Sequence, residues 1–167
     1  MKGFTAILIL FGYVTYCLTA NSVSLINLQI LFYFISFIGK LTEEQVIQAG
    51  KLMRKSCKSK TKSEDAELDQ IKSGNFKGIT KKGKCYVACI LQMTRLVSPD
   101  GHLDYNIAKS RVPTLPEPRR APTLHALEVC KDEGLELTDK CEIAFILAQC
   151  FYNDTPEVFK LFNLCGS

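Results

Sequence analysis

Apolar residues are arranged in two ways along this chain. Up to Gly39 they run almost without interruption, and no charged residue occurs from Gly3 to Gly39. From Lys40 onward they recur three and four residues apart among charged ones, the spacing that gives a helix one apolar face. Period-two alternation, the mark of a half-buried strand, is almost absent, so the predicted fold class is all-α.

The first regime holds two segments. Residues 1–20 place Lys2 before an apolar core from Phe4 to about Leu18 and small residues up to Ala20, the pattern of a secretory signal peptide. Val23–Ile38 is a second apolar run, which a soluble protein would not leave exposed. With Asn27, Gln29 and two serines it falls short of the roughly 20 apolar residues that span a bilayer. Residues 21–40 therefore read as an anomalous segment: cleaved off near Gly39, kept as a marginal anchor, or foreign to the true mature chain, as an intron translated in frame would be. Its removal joins Ala20 to Lys40, a normal junction, and no stable membrane insertion is expected after processing.

The second regime, residues 41–167, reads as one helical domain with a tail over 151–167. Thr42-Glu43-Glu44-Gln45 is a capping box, followed by the stripe Val46, Ala49, Met53 and Cys57. Ser63 is expected to cap a short helix over Glu64–Ser73, stopped by Gly74, with Leu68 and Ile71 inward. A central helix begins near Lys81. Cys85 and Cys89 lie one turn apart on one of its faces, so each can be bridged to a different part of the chain. Ser98-Pro99-Asp100-Gly101 is a turn, and Asp104–Arg111 a weak helix. Val112–Pro122 holds four prolines and is predicted to be an extended strap. Thr123–Glu133 reads as a helix ended by Gly134, with Leu124, Leu127 and Cys130 on one face. Thr138 or Asp139 starts a last long helix, Lys140–Tyr152, and Thr155-Pro156-Glu157 a final short turn.

Charge adds little. All charges but that of Lys2 lie from Lys40 onward, 20 basic against 17 acidic side chains, too mild a surplus to argue for nucleic acid. Enzyme readings also fail. No Gly-x-Ser-x-Gly brackets a serine, no histidine stands near Cys85–Cys89, and no Cys-x2-Cys pair suggests zinc. No catalytic residue, metal or cofactor is expected.

Cysteine changes the picture. Eight are present, which together with the signal pattern points to an oxidising compartment. The six from Cys57 to Cys150 can pair in 15 ways. Cys85 and Cys89 share one turn and are poorly placed to join each other. Cys141 and Cys150 stand about 13 Å apart along one helix, beyond the roughly 7 Å limit for a bridge. Ten pairings survive these exclusions.

The spacing Cys57-x27-Cys85-x3-Cys89-x40-Cys130-x10-Cys141-x8-Cys150 resembles the six-cysteine pattern of the insect pheromone/general odorant-binding family. Asp139-Lys140-Cys141-Glu142, Ala148-Gln149-Cys150-Phe151-Tyr152 and Pro156-Glu157-Val158-Phe159 are similar to its C-terminal region, so the likeness covers about Leu41 to Phe162. The resemblance implies a compact six-helix domain with bridges Cys57–Cys89, Cys85–Cys141 and Cys130–Cys150 around an apolar cavity. It also implies a non-enzymatic carrier whose partners are a small hydrophobic ligand and an odorant receptor. The alternatives are a non-olfactory secreted carrier of lipids or other hydrophobic ligands, and an interaction protein without a pocket.

Helical stripes alone put Val46, Met53, Ile71, Val87, Leu91, Leu96, Leu124, Leu127, Leu147 and Phe151 inside. Family pocket positions, matched by distance from the cysteines, fall on Val87, Leu91, Leu96, Val97, Leu124, Leu127, Leu147 and Phe151. Thr94 and Tyr86 are the polar groups expected near the cavity, and Phe159 of the tail is expected to wall it. With only His102 and His125 present, a histidine release switch finds little support. Cys165 departs from the family plan; it is either free in a monomer or links two chains.

Overall fold

The computed structural model describes residues 40–156, and the cysteine-bearing domain is built of six α-helices there. Helix α1 is Glu43–Thr61, α2 Asp65–Lys72, α3 Lys81–Met93, α4 Tyr105–Arg111, α5 Glu117–Val129 and α6 Lys140–Asp154; a 3-10 turn, Val112–Thr114, follows α4. Among the described residues the sole β pairing is an isolated bridge between Val97 and Leu103. No helix among them is long and apolar enough to cross a membrane. The signal and the second apolar run, Cys17, Cys165 and the tail from Glu157 on, Phe159 included, lie outside the described residues.

Local signals set most helix starts. The Thr42 hydroxyl accepts from the Gln45 amide at 3.2 Å while the Gln45 side chain accepts from the Thr42 amide at 2.9 Å, so the capping box is complete. Thr80 caps α3, Asp104 caps α4, and Asp139 caps α6 by accepting from the Cys141 amide at 2.9 Å. The Lys81 ammonium and the Cys141 and Glu142 amides hold the Asp139 carboxyl below its ordinary pKa.

Two expectations are corrected. Ser63 does not cap α2; Glu64 occupies that position without a side-chain bond. Ser63 is buried instead, donating to the Lys82 carbonyl at 3.0 Å and lying 2.7 Å from the Thr61 hydroxyl, which ties the end of α1 to the start of α3. The proline segment is not an extended strap either. Val112–Thr114 winds into the 3-10 turn, and α5 starts at Glu117, six residues before the expected Thr123, with Pro116 as its N-cap and Pro118 in its first turn. Prolines are harmless there because first-turn amides have no partner within the helix anyway. Only Pro122 removes an interior bond. The helix ends at Val129 rather than Glu133, and turns lead to Gly134, whose φ is +77°.

The core is densest between α3 and α6. Their N-termini lie side by side: Lys81 pairs with Asp139, Lys84 with Glu142 at 2.8 Å, and Cys85 is bonded to Cys141 with Cα atoms 4.5 Å apart. The two helices therefore run parallel. Val87, Leu91, Ile143, Ala144 and Leu147 belong to the buried core, Leu147 and Ile143 with no exposed surface at all. The other bridges are Cys57–Cys89, joining α1 to α3, and Cys130–Cys150, joining the end of α5 to α6. These are the three pairs that the resemblance implies.

The α2–α3 connection is pinned to α6 by aromatic contacts. The Phe76 ring meets Phe145 and Tyr152 edge-on, each at 5.5 Å between centroids, and the Tyr152 hydroxyl donates to the Ser73 carbonyl at 3.0 Å. Gly74 allows this approach: its φ is +77°, and a Cβ there would fall 1.9 Å from the Tyr152 ring.

Candidate ligand-binding site

On the other side of the domain the helices do not close. Helix α1 presents Val46, Gly50 and Met53 at i, i+4 and i+7, with Ala49 beside them. The end of α3 and its exit give Ile90, Met93, Thr94 and Leu96. Ala108 and Arg111 come from α4, and Val112, Thr114 and Leu115 from the turn after it. Thr123, Ala126 and Leu127 face in from α5, Phe151 from α6, and Leu41 from the approach to α1. Together they surround a partly enclosed cavity of about 330 Å³. Among the described residues its lining is apolar except for three threonines and one arginine.

Several of the residues that face this space are small. Gly50, Ala49, Ala108 and Ala126 cannot reach across, and larger side chains there would fill it. Two of the threonines spend their hydroxyls locally: Thr94 donates to the Leu91 carbonyl at 2.9 Å and Thr114 to the Arg111 carbonyl at 2.7 Å.

The mouth is held by contacts between segments far apart in sequence. The Leu41 amide donates to the Thr114 carbonyl at 2.7 Å, which lays the start of the domain against the 3-10 turn. One turn on, Arg119 of α5 grips Glu43 of α1 through Nε and Nη2 at 2.5 to 2.8 Å. This bond holds the Glu43 carboxyl below its ordinary pKa. Cys57–Cys89 fixes the far end of α1 against α3.

The structure sorts the sequence candidates. Val46, Met53, Thr94, Leu96, Leu127 and Phe151 come together on the cavity wall. Ile71, Val87, Leu91 and Leu147 are buried in the core away from it, Ile71 on α2 and the others in the α3–α6 helices. Tyr86 is buried outside the lining too. Val97 is buried beside the Val97–Leu103 bridge and faces a shallow surface depression with Gln92 and Lys140. Leu124 is 40% exposed. The inward stripe of α5 is Thr123, Leu127 and Cys130, at i, i+4 and i+7, which leaves Leu124 about 100° off the centre of that face. Neither His102 nor His125 lines the cavity; His125 Nε2 lies 3.3 Å from Asp154 Oδ1 elsewhere on the surface.

Sequence reasoning missed the smallest and the most polar wall residues. Gly50 sits one turn beyond Val46, so the α1 stripe itself could have flagged it. Val112, Thr114 and Leu115 carried no usable signal, because their inward placement depends on the 3-10 turn that the prolines disguised.

Comparison with known proteins agrees with this architecture. Residues 39–154 match the model of the PBP/GOBP family. General odorant-binding protein 72 of Anopheles gambiae is 34% identical over 118 residues, covering 70% of this chain and 96% of that protein. General odorant-binding protein 19a of Drosophila melanogaster is 31% identical over 117 residues, covering 68% of this chain and 80% of that protein. The crystal structure of odorant binding protein 4 from Chrysopa pallens superposes with a TM-score of 0.65 at 36% identity, over 71% of this chain and 96% of that one. Odorant binding protein 5 of Apis mellifera gives a TM-score of 0.64 at 26% identity, over 72% and 97%. Six helices, three bridges and these likenesses agree: the chain belongs to the PBP/GOBP family, the insect odorant-binding proteins, which are non-enzymatic carriers of small hydrophobic ligands.

Proposed function

We propose that this protein is secreted, with residues 1–20 as its signal and residues 21–40 absent from the mature chain. It takes a small odorant, pheromone or similar semiochemical into the cavity between α1, α3, α4 and α5, carries it through an aqueous fluid and releases it to a receptor. The observation that supports this reading is the 330 Å³ cavity with its apolar wall. That volume lies in the range of small-molecule sites, as does the pattern of many apolar and few polar groups. Apolar burial supplies the affinity, about 25 cal/mol per Å² before the costs of ordering ligand and protein. The few hydroxyls and the arginine set orientation more than strength.

The test is uptake of an apolar phenylnaphthylamine dye by the protein purified with its disulfides intact. The chain has no tryptophan to interfere with the signal. Saturable uptake, competed by medium-length alcohols or esters and lost on reduction, is the expected result. Ala126→Met should lower dye affinity about tenfold or more, because its side chain enters the space that α5 leaves open, while an overpacked site costs about 1–3 kcal/mol of stability. Absence of uptake by the intact protein would overturn the reading in favour of an interaction protein on the same scaffold.

A further inference from the structure

Resting on the carrier reading, we infer that the cavity is built for a medium-length chain ending in a carboxylate, with Arg111 as its anchor. Among the described residues Arg111 is the single charged one in the lining. The other arginines of this part of the chain are engaged: Arg119 holds Glu43, and Arg120 donates to the Leu115 carbonyl at 2.8 Å. Arg111 makes no side-chain hydrogen bond or ion pair among the described residues, while its own carbonyl is taken by Thr114. A guanidinium offers five N–H donors in a planar fork that a carboxylate matches with two parallel bonds. A hydroxyl or ester oxygen accepts from it but brings no opposite charge.

The placement suits an amphipathic ligand. Arg111 ends α4, is itself exposed and belongs to the lining, so its long side chain borders both the cavity and water. The remainder of the lining, Val46, Met53, Leu96, Leu127 and Phe151, takes a hydrocarbon chain. At roughly 30 Å³ for each water-sized group, the cavity accepts on the order of ten such groups. The acid keeps its charge at the mouth and its chain in the dry interior, and neither has to be desolvated against the other.

The experiment compares decanoate with decan-1-ol by displacement of the same dye, on the intact protein and on the variants Arg111→Met and Arg111→Lys. Arg111→Met keeps most of the stem and removes the charge. Decanoate should bind this variant about five- to tenfold more weakly, and decan-1-ol within about twofold of the parent. Arg111→Lys should recover much of the loss. Raising the salt concentration should weaken decanoate alone. Equal losses for both ligands would make Arg111 a packing residue and overturn the inference, as would unchanged decanoate affinity; in either case binding of decan-1-ol leaves the carrier reading standing. Failure of both ligands to displace the dye from the parent protein would overturn the inference together with the cavity reading.

Discussion

The two sides of this domain use the same element and reach opposite results. Between α3 and α6 the helices run parallel, are bonded at Cys85–Cys141 and bury large side chains such as Leu91, Phe145 and Leu147 in one core cluster. Between α1, α4 and α5 the residues that face the space include Gly50, Ala49, Ala108 and Ala126, and the closure comes from the rim: the Leu41–Thr114 backbone bond, the Glu43–Arg119 pair and, at one end, Cys57–Cys89. A packed core resists any change in volume. An open one survives only if something other than its own packing holds the walls apart. The lesson is that stability is concentrated in one half so that the other half can stay hollow.

That contrast can be broken in three ways, in descending order of effect. Cys85→Ser with Cys141→Ser removes the bond between α3 and α6. The chain-entropy account assigns a loop of this length about 4 kcal/mol, so the double variant should unfold at far lower denaturant or fail to fold. Full retention of thermal stability would show that the α3–α6 half does not depend on its staple. Leu147→Ala leaves a void in the packed half and should cost about 2–5 kcal/mol by denaturant titration, with dye affinity of the folded protein nearly unchanged. A loss of affinity exceeding the loss of stability would move Leu147 from core to site.

The smallest effect lies at the rim. Glu43→Gln weakens the grip of Arg119 on α1 and should cost less than about 1 kcal/mol at neutral pH, because the pair is half exposed. The sign with pH follows from the lowered folded-state pKa. Glu43 contributes its stability above the ordinary glutamate value and loses it as pH falls through the lower folded value, so parent and variant should converge in acid. A constant difference between their unfolding midpoints across that range would show that the carboxylate charge is not what holds the rim.

Much of the helical frame was legible in the residues. Caps at Thr42 and Asp139 and the helical spacing around Cys85 and Cys141 are local signals, and local signals act through hydrogen bonds three or four residues long. The disulfide pairing was not legible from spacing, which left ten possibilities open; the family likeness supplied it. Burial was legible as well. Ile71, Val87, Leu91 and Leu147 are inside, as their stripes predict.

What periodicity cannot distinguish is an inward residue that meets another side chain from one that meets space. Leu147 and Phe151 stand one turn apart on α6 and both are buried, yet of the two Phe151 alone borders the cavity. That difference is decided by what stands opposite, on helices distant in the chain. The phase of α5 is set the same way: starting at Glu117 against the α4 turn, it brings Thr123 and Ala126 inward and leaves Leu124 at the surface. The sequence by itself therefore determined most of the helices, the caps at Thr42 and Asp139 and the buried stripes of α1, α3 and α6, because each depends on neighbours along the chain. Only the tertiary structure decided where the buried faces fail to meet, because a cavity belongs to the distance between elements and not to any one of them.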